Sequence, residues 1–171
     1  MRSRSVGLVV ALFVFAIDQF TKWLVTGPLH VQDLEHLYLL PFFQFTYTEN
    51  NGISLGLLNA TTAVGRWMLV ALTSAIALGV AFWMGREKNR IDQLALGMVL
   101  GGALGNILDR VRHGYVVDFA DLHFGEFRPF LIFNVGDAAI SIAVVILLLR
   151  AFLTRKDQET GSDPQEKIEQ A

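Results

Sequence analysis

Four apolar stretches, each near the length that crosses a bilayer, constrain this chain more than any other feature. A spanning helix needs about 20 mostly apolar residues, because each adds about 1.5 Å through a hydrocarbon core of roughly 30 Å. The stretches are Val6 to Val25, Trp67 to Met84, Ile91 to Val111 and Phe130 to Leu149. The second carries no charge. The first contains Asp18 and Lys22, the third ends in Asp109-Arg110, and the fourth contains Asp137. Charged residues make up 18% of the chain, below the roughly 25% of soluble domains, and mean hydropathy is +0.44. So little charge excludes a disordered or coiled-coil protein. The net charge of −2 supplies no basic field for nucleic acid. With no cysteine, disulfides, thiolate metal sites, a cysteine nucleophile and cysteine lipidation of this chain are excluded. The expectation is a mainly α, four-span membrane protein: one domain over 1–155 and a disordered, acidic cytoplasmic tail over 156–171.

The N-terminal run resembles a cleavable signal peptide only superficially, since Asp18 and Lys22 interrupt it and no small-x-small cleavage site follows. Orientation follows from lysine and arginine. Arg2 and Arg4 precede the first span, Arg86, Lys88 and Arg90 fill the second connection, and Arg150, Arg155, Lys156 and Lys167 follow the fourth span. Thr26 to Thr62 has none, although the third connection holds Arg110, Arg112 and Arg128. The majority places both termini in the cytoplasm and the first and third connections outside. Trp23, Trp67 and Trp83 fall near span ends, where aromatic belts sit. In the first connection, Leu37 to Tyr47 reads as one or two strands on the outer membrane surface, and Asn50-Asn51-Gly52 as a turn.

In that orientation the polar residues gather at one depth. Asp18 and Lys22 lie in the outer half of the first span, Asn106, Asp109 and Arg110 at the outer end of the third, and Asn134 and Asp137 near the outer start of the fourth. Asp118 is in the third connection. A charge at a helix centre costs about 2.5–3.5 kcal/mol on insertion scales, so gathered polar groups that satisfy one another point to a site, with helix-packing glue as the bland alternative. Asp18 and Lys22, four apart with the acid first, read as a structural or orienting ion pair. Arg110 can snorkel to the interface, and Asp109 reads equally as a solvated helix end. Gly97, Gly101 and Gly105 form a close-packing ridge. Asp137 is a lone acid among apolar residues and needs a partner from elsewhere or a proton.

Ser54 and Ser141 have no histidine nearby in sequence, so a Ser-His pair is weak. Asp118, Asp121 and His123 match no recognised ligand spacing, and a solvated loop accounts for them better than a metal site; no metal or cofactor is expected. Carboxylates remain. Two aspartates facing one another cannot both ionise at close range, so one keeps a proton. The ionised acid can take a proton from water while the other donates to a scissile carbonyl. Asp118 and Asp137 are candidates, though spacing alone does not bring them together.

Five motifs, in order, resemble the lipoprotein signal peptidases (type II signal peptidases) of bacterial inner membranes. They are Asp18-Gln19-x-x-Lys22, Asn50-x-Gly52, Gly102-x-x-Gly105-Asn106-x-x-Asp109-Arg110, Val117-Asp118-Phe119 and Phe133-Asn134-x-x-Asp137. The resemblance covers Asp18 to Ile140. It implies an aspartyl endopeptidase that cuts prolipoproteins before a diacylglyceryl-modified cysteine, with Asp118 and Asp137 as the dyad. Asn50, Gly52, Asn106, Arg110 and Asn134 would hold substrate and orient the dyad. It further implies a small extracytoplasmic β-sheet cradle, a short surface helix in the third connection, and inhibition by globomycin-type cyclic peptides. The remaining partners expected are membrane lipids, with the chain a monomer. Two positions depart from the family's pattern: Glu49 stands where Arg is frequent, and Gly136 where Ala is frequent. The competing classes are a transporter or channel subunit, which would spread polar groups along a path across the bilayer, and a structural subunit whose acids only tie helices together.

Overall fold

The computed structural model describes residues 2–52 and 62–160. Four helices carry the fold: α1 Arg2–Thr26, α2 Ala63–Arg86, α3 Arg90–Arg112 and α4 Val135–Thr160. Each contains a segment long and apolar enough to cross a membrane. The start of α2 is capped by the Thr62 side chain, which accepts the Gly65 N–H at 3.1 Å. The Asn89 side chain accepts the Ile91 N–H at 2.8 Å at the start of α3. Each cap satisfies a donor that a helix N-terminus leaves without an intrahelical partner. Buried Gln93 donates to the carbonyls of Met84 and Glu87, which closes the short α2–α3 connection.

The central helix is α3, which touches all three others. Its glycine ridge sets the approach. A Cβ at Gly97 would strike the Gly7 backbone, one at Gly101 the Ala11 carbonyl, and one at Gly105 the Asp18 carboxylate. Gly102, on another face, lies against the backbone of Gly136 in α4. Small residues thus let the backbones touch, the usual means of packing helices in lipid.

At the end where α1 and α3 finish and α4 begins lies a three-stranded antiparallel sheet, order β1-β2-β3. Its strands are β1 Leu37–Leu40, β2 Phe43–Asn50 and β3 Val116–Leu122. The first connection therefore holds two strands, and the third adds one that the sequence reading did not place. The sheet packs through Phe119, Ala120, Phe43 and Phe45 onto Val25 at the end of α1 and Val31 just beyond it. Register shifts between Phe45, opposite Ala120, and Thr48, opposite Asp118. The bulge re-aims the strand beside Asp118, as bulges near functional sites do.

Two expectations are corrected, and one of the two readings open for Asp109 is excluded. The fourth helix begins at Val135, five residues later than Phe130, because Phe133 is taken by the sheet: its N–H donates to Ala120 O, and its carbonyl accepts from Phe119 and Ala120. The short surface helix is a 3₁₀ turn at Val31–Asp33 in the first connection; the third connection forms β3 and turns, with Gly125 at φ +63° between the bridged Phe124 and Phe127. Asp109 is not a solvated helix end, since it is 2% exposed. α4 continues to Thr160, and the remainder of the acidic tail lies outside the described residues, as does Ser54.

Candidate active site

The residues singled out by sequence meet at the sheet end of the bundle. Asp118 projects from the middle of β3 and is 2% exposed. Its Oδ1 accepts from Asn134 Nδ2 at 2.6 Å and its Oδ2 from Asn50 Nδ2 at 2.9 Å. Burial pushes the Asp118 carboxyl up to about 6; the Asn50 hydrogen bond opposes the rise and the negative charge of Asp137 adds to it.

Asn50 is itself fixed. Its Oδ1 accepts the Gly52 N–H at 3.0 Å, closing an Asx turn. Gly52 sits at φ +127°, a conformation open to glycine and strained for other residues, which explains the Asn50-x-Gly52 spacing.

Asp137 stands in the first turn of α4. The Asn134 side chain accepts the Asp137 N–H at 2.9 Å, while Asp137 Oδ2 faces the Asn134 N–H at 3.4 Å. This is the reciprocal arrangement of a capping box. Asp137 Oδ1 accepts from Asn106 Nδ2 at 2.8 Å. Asn106 Oδ1 in turn accepts from Asn134 Nδ2 at 3.1 Å. Two asparagines, one at the end of α3 and one capping α4, therefore join the two carboxylates.

Behind them lies a buried ion cluster. Lys22 Nζ is 2.8 Å from both Asp18 Oδ2 and Asp109 Oδ2. Asp109 also accepts from Gln19 Nε2 at 3.0 Å and from the Val117 N–H at 3.1 Å. The Asp18–Lys22 pair is thus more than an intrahelical contact, because it links α1 to α3 and α3 to the start of β3. Arg110 forms no ion pair among the described residues. Its Nη1 reaches the Asn106 carbonyl at 3.5 Å, its Nε is buried without a partner there, and its charge acts on Asp137, Asp118 and Asp109.

A groove of about 780 Å³ opens over Asp118, with Glu49, Asn50 and Gly52 on one side and Arg128, Phe130 and Leu131 on another. Phe130 is 61% and Leu131 81% exposed. Asp121, expected from sequence to lie in a solvated loop rather than to bind metal, is instead 1% exposed and accepts from Gln44, Thr46 and Arg128. Burial alone would raise its carboxyl, but those hydrogen bonds hold it below the usual carboxylate range. Among the described residues no group of three His, Asp or Glu side chains is placed to hold a metal ion. Gln19 and Arg128 were not assigned roles from sequence. Gln19 lay inside a quoted motif and was recognisable there, whereas Arg128 became significant only through its place in the groove.

Fold and site together define a multi-pass membrane protein whose groove reaches the buried Asp118 carboxyl, joined through two asparagine amides to the half-buried carboxyl of Asp137. The family model for signal peptidase (SPase) II matches residues 10–153, and the chain belongs to that family. A lipoprotein signal peptidase from Sphingopyxis alaskensis is 55% identical over 147 residues, 86% of this chain and 85% of the relative. One from Rhizorhabdus wittichii is 49% identical over 153 residues, covering 90% and 89%. A solved structure described as a bacterial membrane enzyme determined by the in meso method is similar at 28% identity and TM-score 0.75, covering 92% of each chain.

Proposed function

We propose that this chain is an aspartyl endopeptidase that removes the signal peptide from diacylglyceryl-modified prolipoproteins, cutting before the lipidated cysteine. The observation that carries the reading is the chain of amides from Asp118 through Asn134 and Asn106 to Asp137 beneath the groove. Two carboxyl groups held together share a proton. The ionised one takes a proton from water, whose oxygen attacks the scissile carbonyl carbon. The protonated one donates to the carbonyl oxygen as it becomes tetrahedral. Collapse breaks the C–N bond: the first carboxyl passes its proton to the departing nitrogen, and a hydroxyl of the tetrahedral carbon returns one to the second, which restores the pair. With its carboxyl near 6, Asp118 exchanges protons close to neutral pH. Arg110, Asn50 and Gly52 hold the substrate backbone, and exposed Phe130 and Leu131 give the groove an apolar wall suited to acyl chains.

The enzyme works as a monomer in the bacterial inner membrane, among its lipids, with both termini cytoplasmic and the groove toward the periplasm. Globomycin-type cyclic peptides occupy the groove as inhibitors. The lysine and arginine distribution supports this orientation. Purified protein in detergent is expected to cleave a diacylglyceryl precursor and to spare the unlipidated form. Asp118→Asn and Asp137→Asn should each lower turnover by about 10²–10⁴-fold, the contribution of a positioned acid or base. Near-normal turnover by either folded variant removes that residue from the pair.

A further inference from the structure

The ammonium of Lys22 is 4% exposed, and the reaction above gives it no part. Two of its contacts, to Asp18 and Asp109, are those of a counter-ion. The third is to a neutral group: Nζ donates to Asn106 Oδ1 at 3.0 Å. An asparagine amide carries an acceptor at one end and donors at the other, in nearly the same shape, so its neighbours decide which way it faces. A lysine ammonium has three donors and no acceptor, so whatever faces it must present oxygen. With Oδ1 toward Lys22, Asn106 turns Nδ2 toward Asp137 Oδ1, where it donates at 2.8 Å.

The direction propagates. Asn106 Oδ1 also accepts from Asn134 Nδ2 at 3.1 Å. That orients the second amide, so Nδ2 donates to Asp118 Oδ1 at 2.6 Å and Oδ1 accepts the Asp137 N–H at 2.9 Å. Reversing Asn106 would set its NH₂ against the ammonium and its oxygen against the Asp137 carboxylate. Reversing Asn134 would do the same to Asp118. We propose that Lys22 is a positioning residue for the peptidase reaction: its donor-only ammonium fixes the direction of Asn106, and through it Asn134, so that both amides donate to the aspartates. The inference rests on the reading of Asp118 and Asp137 as the reacting pair. Asp18 and Asp109 hold the ammonium in place.

The test is a double-mutant cycle on a diacylglyceryl precursor, read as kcat and KM separately. Cleavage by the unmodified protein is established first; its failure there would defeat the peptidase reading and not this one. Lys22→Met keeps the length of the side chain and removes its donors. It is expected to lower kcat on the order of tenfold to a hundredfold, the span of coupling between contacting residues, with KM within about twofold. Asn106→Ala should be costly in the unmodified protein and add little in the Lys22→Met background. Costs that simply multiply overturn the proposal, because Lys22 would then act independently of Asn106. Should Lys22→Met fail to fold with two buried carboxylates unpaired, the neutral variant Asp18→Asn/Lys22→Met/Asp109→Asn decides. It keeps oxygens for the Gly136 and Val117 N–H groups. It is expected to remain slow, and kcat near that of the unmodified protein overturns the proposal.

Discussion

Asp18 Oδ1, two-thirds of the way along the first helix, accepts the backbone N–H of Gly136 in the first turn of the fourth at 2.8 Å. Its other oxygen faces Lys22. One carboxylate thus serves an ion pair and a helix N-terminus, where negative charge is favoured by the exposed N–H groups. Through this bond α1 fixes where α4 starts, and hence where Asp137 stands relative to Asn106.

Stability should depend on pH through Asp118. Its carboxyl is raised from 3.8 to about 6 in the folded protein. Between those values the folded chain binds more protons than the unfolded one, so stability is fully present below about pH 4, falls as pH rises toward 6, and levels off beyond. The loss amounts to at most about 3 kcal/mol, at about 1.4 kcal/mol per pKa unit. Thermal unfolding in detergent from pH 4 to 7.5 is expected to show this decline, and Asp118→Asn to lack it.

Arg110→Gln separates substrate capture from control of the acids. The guanidinium makes no ion pair among the described residues and reaches Asp137 and Asp118 only by longer-range charge, so its removal is expected mainly to raise KM, with the acidic limb of the pH–activity curve scarcely moved. Movement of the acidic limb would mean that Arg110 acts on a catalytic carboxyl instead.

Gly102 and Gly79 make a matched pair. A methyl group at Gly102 would strike the Gly136 carbonyl and Ile140, whereas one at Gly79 meets nothing within 4 Å. Gly102→Ala is expected to lower stability by about 1–3 kcal/mol and to reduce kcat, since α4 must shift away from Asn106. Gly79→Ala should be neutral, or stabilising by up to about 1 kcal/mol through helix propensity. Equal melting temperatures for the two variants would show that the α3–α4 contact has room to relax.

Topology is open to a fusion. A reporter after Ala171 that works only in the cytoplasm should be active, and one that works only in the periplasm should be silent. The reverse result would place the groove on the other face of the membrane.

The helices were legible because twenty apolar residues have few other fates, and the gathering of polar groups was legible once the spans were threaded. What escaped depended on partners distant in the chain. Phe130 to Phe133 is as apolar as the span that follows Asn134 and Asp137, and only the bridge from Phe133 to Ala120 shows that it ends at the sheet. Asp109 next to Arg110 reads locally as a polar helix end, because Lys22 and Gln19 lie far earlier in the sequence. β3 had a local signal in Tyr115-Val116-Val117, a β-favouring run that was not read. The amide chain between the aspartates had none: asparagines show which residues are present, and which end of each faces which carboxyl follows from the neighbours alone.

The glycine ridge has a consequence for the cell as well as for packing. At Gly97 and Gly101 the backbones of α1 and α3 lie so close that even a methyl group finds no space, and a water molecule needs more. The polar cluster occupies one end of the bundle, and beyond it the backbones of these two helices touch at Gly97 and Gly101. A hydrolase must admit water, yet a membrane that stores energy as an ion gradient must not leak. At the α1–α3 seam the ridge meets both demands by contact, because no gap that would admit water opens between the backbones at Gly97 and Gly101.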